Sequence, residues 1–164
     1  MTYFKDYNNT IDTLKKLGQQ HYMIKTITTG DIWEVDLKKN SYFPLMHITP
    51  VNAVAGTHQM TLNFQIFIMD LVFPDLSNEQ EVLSDCLQIC NDLIGTFKNG
   101  ESLLLSNLGE NALPKYFTDG DINIEPFTER FDNAPTGWVF TLPVIIENEY
   151  NTCIAPQSTT DAIQ

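Results

Sequence analysis

The sequence predicts an α+β fold in which a mainly antiparallel, twisted sheet packs two amphipathic helices on one of its faces. Residues 59–72 alternate apolar and polar side chains, as expected for a long half-buried strand. Residues 77–97 repeat apolar side chains every three or four positions, as expected for a helix that covers a sheet. The remaining short alternating runs are separated by glycine, proline and asparagine, which is typical of strands joined by turns.

The second predicted helix has the stronger sequence signal. Ser77 is expected to cap its N-terminus, with Gln80 completing a capping box. Its apolar stripe should supply much of the core, because each buried large side chain contributes about 1.5–3 kcal/mol. The stripe consists of Val82, Leu83, Cys86, Ile89, Cys90, Leu93, Ile94 and Phe97.

The first predicted helix spans residues 3–17. Its apolar side chains form a single stripe, and Gly18 follows as the expected stop signal. The stripe consists of Phe4, Tyr7, Ile11, Leu14 and Leu17.

Several shorter strands complete the predicted sheet. The run 42–48 contains Pro44, which favours an edge or a bulge. Ala53–His58 is interpreted as the connection of a long projecting hairpin that leads into strand 59–72. Further strands are predicted at 22–28, 32–37 and 122–125, and an antiparallel hairpin is predicted over 127–146. We expect one domain over 1–147, followed by an extended or disordered C-terminal arm over 148–164.

The charge of the chain excludes some partners. With 164 residues and a net charge of −12, the protein is a poor candidate for binding nucleic-acid phosphates or anionic membranes. Residues 1–39 hold six lysines against five acids (+1), whereas residues 40–164 hold three basic residues against 16 acids (−13). This asymmetry is explained either by a solvated surface with chance clustering or by head-to-tail association of copies.

The residue pattern predicts no catalytic site, no metal and no cofactor, so we expect a protein that is not an enzyme. Cys86 and Cys90 lie one helical turn apart and are expected to be buried free thiols. Together with Cys153 they make an odd number, which favours a reducing compartment. The pair Asp119 and Asp121 lacks the further oxygen ligands of a calcium loop and is interpreted as a turn. We expect no signal peptide, because the first residues of the sequence lack an apolar h-region, and no run approaches 18 uninterrupted apolar residues.

Three segments resemble a known family of viral proteins. They are Tyr42-Phe-Pro-Leu-Met-His-Ile-Thr-Pro50, Leu62-Asn-Phe-Gln-Ile-Phe-Ile-Met-Asp-Leu-Val72 and Ser77-Asn-Glu-Gln-Glu-Val-Leu-Ser-Asp-Cys-Leu-Gln-Ile89. With the order helix, strands, hairpin, long helix and further strands, they resemble the tail-terminator or tail-completion family of tailed bacteriophages, and segments from phages of Bacteroides-like hosts. The resemblance covers about residues 3–147 and concerns packing segments.

The resemblance implies a non-catalytic virion protein that is assembled in the host cytoplasm. Members of the family form sixfold or twelvefold rings at the head–tail junction, neck or tail, in contact with adjacent connector or tail proteins. DNA would pass through the acidic ring without specific binding, and no membrane is involved. The expected contacts between subunits are Lys15, Lys16, Lys38, Lys39, Ala55, Gly56, Thr57, Asn151 and Ile154.

Two other functions fit the same sequence. One is a cytosolic α+β protein that binds a small ligand in a pocket near His47, His58 and Asp70, where a ligand would raise the stability of the folded state. The other is an acidic inhibitor of a basic host protein, whose binding would weaken steeply with salt.

Overall fold

The computed structural model describes residues 6–31, 42–73, 75–99, 116–127 and 135–147. Within these residues the chain forms two helices and one six-stranded sheet. The helices are α1 (Asp6–Gln20) and α2 (Glu79–Asn99). The strands are β1 (Thr26–Thr29), β2 (Leu45–Ala55), β3 (Gln59–Leu71), β4 (Tyr116–Phe117), β5 (Ile124–Phe127) and β6 (Pro135–Glu147).

The sheet is mixed and mainly antiparallel. Its strand order is β1-β2-β3-β6-β4, and β5 also pairs with β6. The pairing of β1 with β2 is parallel, and the other pairings are antiparallel. β3 is paired along its whole length with β6, from Gln59 opposite Glu147 to Leu71 opposite Pro135. The predicted fold class is therefore confirmed, and β6 accompanies β3 as far as the turn of the β2–β3 hairpin.

One face of the sheet carries the main core. The even-numbered residues of β3 and β6 point to this face, because side chains alternate along a strand. Both helices bury side chains against it, which confirms that they pack on the same face. The largest contributions come from Leu14, Leu17, Met46, Ile48, Phe64, Ile66, Ile68, Cys86, Ile89, Leu93, Phe140, Leu142 and Val144.

The opposite face changes character along the strands. Near the start of β2, Leu45, Phe67 and Met69 form a second small buried cluster. Towards the hairpin turn the same face is polar and uncharged, with half-buried Asn63 and Gln65. Asn63 Nδ2 donates a hydrogen bond to Asn52 Oδ1 at 2.7 Å, so this polar row is ordered across β2 and β3.

The structure corrects two predicted helix ends. Gly18 was the expected stop of the first helix, but α1 continues to Gln20 and buries Gly18 against Ile27 and Met46. Ser77 was the expected cap of the second helix, but α2 begins at Glu79 and its first helical bond runs from Val82 N to Asn78 O. Ser77 N instead donates to Asp75 Oδ1 at 3.1 Å.

The strand bounds also differ from the prediction. β1 begins at Thr26 rather than at residue 22, and β2 begins after the cis Phe43–Pro44 peptide and extends to Ala55. The expected irregularity lies at Pro50, where the β2–β3 register shifts, and not at Pro44. β5 pairs antiparallel with β6, but β5 begins at Ile124, and of the first arm of the hairpin predicted over 127–146 the structure describes only Phe127. The predicted start of the first helix at residues 3–5, the strand 32–37 and the arm 148–164 lie outside the described residues.

Candidate self-association surface

The hairpin end of β2 is an exposed strand edge. β1 covers the outer side of β2 as far as Ile48, and Gly30 N makes the last bond there, to Ile48 O at 3.1 Å. Beyond this point, none of the described strands pairs with the outer side of β2. Residues 50–55 are all exposed, and Val51 and Val54 expose 52% and 54% of their full residue surface. We refer to residues 51–55 as the free edge.

The hydrogen bonding at the turn shows which backbone groups of the free edge point outwards. Gly56 N donates to Gln59 O at 2.7 Å, so the polar groups of Gly56 point towards β3. Because these groups alternate in direction along a strand, the N–H and C=O of Ala53 and Ala55 point away from β3. Pro50, which has no N–H, and the register shift between Pro50 and Asn52 mark the start of the free edge.

The strands around the free edge carry few charged side chains: β2 has none, and near the hairpin turn β3 and β6 have only Glu147, opposite Gln59. The sequence contains no Lys, Arg, Asp or Glu between Asn40 and Met69, nor between Asn133 and Ile146. These ranges include all of β2 and most of β3 and β6. Exposed edge strands are usually protected by charged side chains, and a bare edge favours pairing with another strand. The charge-free run was visible in the sequence and could have identified this site.

The structure separates the predicted subunit contacts into two surfaces. Lys16 is exposed and Lys15 half-buried on α1, whereas Ala55 and Thr57 are exposed and Gly56 is half-buried at the hairpin turn. The end of α1 packs on Met46, and Met46 lies about 30 Å from Ala55 along β2 at roughly 3.3 Å per residue. The structure therefore does not bring the lysines and the hairpin turn together. Lys38, Lys39, Asn151 and Ile154 lie outside the described residues.

The ligand pocket expected near His47, His58 and Asp70 is not formed. His47 and Asp70 lie on opposite faces of the sheet, since His47 pairs with Phe67 and Asp70 follows one position after Met69 on β3. His58 is exposed at the hairpin turn, about 40 Å from Asp70 along β3 at roughly 3.3 Å per residue. The prediction of a shared pocket is therefore wrong.

His47 instead joins β1 to β2. Its side chain is fully buried, and its Nδ1 lies 2.6 Å from Thr28 Oγ1. Its Nε2 lies 3.0 Å from Gly30 O, which also accepts a bond from Thr49 Oγ1 at 2.9 Å. Because Gly30 O can only accept, His47 donates to it from Nε2, and Thr28 Oγ1 is the hydrogen-bond partner of Nδ1.

A second histidine links the two helices. His21, just after α1, places Nε2 3.0 Å from Asp92 Oδ2 on α2, and its Nδ1 accepts a bond from Met23 N at 3.3 Å. Asp92 also accepts a bond from Gln88 Nε2 at 2.8 Å. No periodicity or motif connects residues this far apart in sequence, so the pair could not be predicted.

The two thiols on α2 are unsuited to nucleophilic chemistry. Burial raises the pKa of the Cys86 thiol to about 12 and also raises that of Cys90, so both remain protonated near neutral pH. These two residues are confirmed as buried free thiols, while Cys153 lies outside the described residues. Burial likewise raises the pKa of Asp70, against the effect of its bond from Leu71 N, and Asp85 adds to the increase.

The described residues contain no group of three or more His, Cys, Asp or Glu side chains that could hold a metal ion. At Asp119 and Asp121 the chain bends through Gly120, whose φ is 83°. Gly120 N donates to Asp119 Oδ1 at 2.8 Å, which ties the carboxylate to the bend.

A scan against models of protein families and a search of curated proteins found no match to this chain. Neither of the two described helices is long and apolar enough to cross a membrane.

Proposed function

We propose that this chain is a non-catalytic structural subunit that assembles with its own copies into a ring at the head–tail junction of a tailed bacteriophage. Self-association as such is supported most directly by residues 50–59, which are almost all exposed and include no Lys, Arg, Asp or Glu in a chain of net charge −12. A solvated surface of so acidic a protein would normally carry charged side chains. A surface that carries none is better suited to contact with protein than with water.

The arrangement of elements supports the same proposal. The elements follow the order helix, short strands, hairpin, long helix and closing strands. The resemblance of the sequence to tail-terminator proteins is based partly on this order. A ring requires heterologous contacts, in which two different surfaces of the subunit meet. Lys15 and Lys16 on α1 provide a cationic surface. Exposed Glu81 and Asp85 on α2 provide an acidic one. We assign the ring contact to these two surfaces.

The test is the mass in solution by light scattering over a concentration series, with negative-stain images of any large species. The proposal predicts a closed oligomer with a central hole at high concentration and low salt. Lys16→Glu should reduce the population of this oligomer, because it places a like charge against the acidic surface of the neighbour.

Lys25→Glu is the matched control, since Lys25 is also exposed and the change in charge is the same. It lies outside the expected contacts and should leave the oligomer intact. A protein that stays monomeric at every concentration, or that responds equally to both substitutions, would contradict the proposal.

A further inference from the structure

We propose that the free edge, residues 51–55, pairs antiparallel with the same edge of a second copy and joins the two sheets into one. The inference goes beyond the proposed function, because it names a second contact between copies that does not depend on the ring. A contact of this kind is isologous, so it produces dimers.

The backbone of the free edge has the pattern that such pairing needs. Ala53 and Ala55 point their N–H and C=O groups outwards, as the bond from Gly56 N to Gln59 O requires. In the register that places Val54 opposite the partner's Val54, Ala53 faces the partner's Ala55 and Ala55 faces the partner's Ala53. Each of these two pairs exchanges two hydrogen bonds, so all the outward groups of Ala53 and Ala55 are satisfied.

The side chains of the free edge leave room for a second copy. Ala53 and Ala55 pair with Leu62 and Met60, so they point to the helix-covered face, where their small size limits steric conflict. Tyr7 on α1 packs on Phe64, opposite Pro50, and the free edge lies beyond this point. Val54 and Asn52 pair with Thr61 and Asn63 and point to the uncharged polar face.

Electrostatics favours a second copy as the partner. Two copies of a chain with net charge −12 repel one another wherever charged surfaces meet. Residues 51–55 carry no charged side chain, so two copies can pair along them without placing like charges opposite each other within the contact, and the exposed Asp31 follows Gly30 before the edge begins. The half-exposed Val54 side chains would then cover each other at the centre of the contact.

The contact has a consequence for symmetry. A ring whose subunits also form isologous pairs has dihedral symmetry, with two rings back to back. A head–tail axis is polar and has no such two-fold axis. The pairing therefore belongs to subunits that are not yet placed on the particle, and it protects an edge that would otherwise recruit other strands.

Disulfide formation provides the direct test. In the Cys153→Ser background, Val54→Cys should give a covalent dimer on mild oxidation. Residues at such a non-hydrogen-bonded position lie about 4.5 Å apart at Cα, within disulfide range. Thr57→Cys, which is exposed at the turn, is the control and should remain monomeric on a non-reducing gel. Cys86 and Cys90 are buried and should not react.

Ala53→Pro tests the pairing without a new thiol. It removes an outward N–H that makes no bond within the described sheet, so the circular dichroism should be unchanged. The melting temperature should also be unchanged at a protein concentration where both proteins are monomeric, while the dimer mass is lost at higher concentration. The inference is overturned if Val54→Cys does not cross-link, if Thr57→Cys cross-links equally well, or if a folded Ala53→Pro protein remains dimeric. If rings form but Val54→Cys does not cross-link, this inference is wrong and the proposed ring stands. If Val54→Cys cross-links but no rings form, the proposed ring is wrong and this inference stands.

Discussion

At the scale of single residues, two glycines in helices have opposite surroundings. A Cβ added at Gly18 would lie 2.5 Å from Met46 Sδ and 2.8 Å from Ile27 Cδ1. A Cβ added at Gly95 would meet nothing within 4 Å. A larger residue at Gly18 would therefore force the ends of the Met46 and Ile27 side chains to move, whereas nothing in the surroundings of Gly95 requires a glycine.

The two alanine substitutions should change the free energy of unfolding in opposite directions. Gly18→Ala should lower it by about 1–3 kcal/mol, because overpacking outweighs the better helix propensity. Gly95→Ala should raise it by about 0.5–1 kcal/mol through helix propensity alone. Urea unfolding followed by circular dichroism measures both, and stabilisation by Gly18→Ala would show that Met46 and Ile27 move aside without cost.

The pKa values of two carboxylates, Asp70 and Asp75, are shifted in opposite directions. Burial raises the pKa of Asp70 above its ordinary value of 3.8, so its ionised form weakens the fold. Hydrogen bonds from Ser77 lower the pKa of Asp75, so its ionised form strengthens the fold. The stability that Asp75 contributes is present above pH 3.8 and is lost as the pH falls through its lowered pKa.

Replacement of each carboxylate by an amide should therefore have opposite effects on the melting temperature. At pH 7, Asp70→Asn should raise it, and the gain should vanish below about pH 3.8, where Asp70 is protonated in both states. Asp75→Asn should lower it at pH 7, since the amide is a weaker acceptor for Ser77. Thermal unfolding from pH 3 to pH 8 measures both effects, and shifts of the same sign would contradict the assignment.

At the scale of elements, the β3–α2 connection depends on Asn78. Its Oδ1 accepts a bond from Phe73 N at 2.8 Å, and its Nδ2 donates to Leu71 O at 3.4 Å. Its backbone oxygen accepts the first helical bond, from Val82 N. One side chain therefore ties the end of β3 to the start of α2.

Asn78→Ala should cost about 1–2 kcal/mol of stability, because it removes both side-chain bonds. Ser77→Ala should cost less, although Ser77 is the residue that the sequence pattern identifies as the cap. Equilibrium unfolding of the two variants under the same conditions decides between them. A larger loss for Ser77→Ala would favour the capping box predicted from the sequence.

Some elements of the fold could be predicted from the sequence and others could not. β3 and α2 were predicted within two residues at each end, because long alternating and helical periods reflect burial on one side. The end of α1 was predicted wrongly, because Gly18 packs against the sheet inside the helix and does not end it. The length of β2 was underestimated because Pro50 lies past the end of β1, where its missing N–H costs no bond to a neighbouring strand.

The candidate site was predicted only in part. Ala55, Gly56 and Thr57 were identified because turn residues mark a hairpin. The outward groups of Ala53 could not be identified, since they depend on the register shift near Pro50 and on the side from which β1 pairs. The pocket expected near His47, His58 and Asp70 is not formed for a related reason. Side chains alternate between the two faces of a sheet, so closeness in the sequence does not place them on the same face.

At the scale of the whole molecule, the two proposed contacts should respond oppositely to salt. The Debye length falls from about 10 Å at 0.1 M salt to about 3 Å at 1 M. Screening weakens the attraction of Lys15 and Lys16 for acidic side chains of a neighbour. It also weakens the general repulsion between copies of net charge −12, while the backbone hydrogen bonds of the free edge have no charges to screen.

We therefore expect rings at low salt to give way to dimers, and not to monomers, as the salt concentration rises to 1 M. Light scattering over a salt series measures this, with Lys16→Glu and Ala53→Pro as the two diagnostic variants. Lys16→Glu should be dimeric at every salt concentration, because it lacks only the ring contact. Ala53→Pro should form rings at low salt and become monomeric at high salt. Dissociation of the unmodified protein to monomers at 1 M salt would mean that the free edge contributes nothing to association, and rings that persist there would mean that the ring contact is not electrostatic.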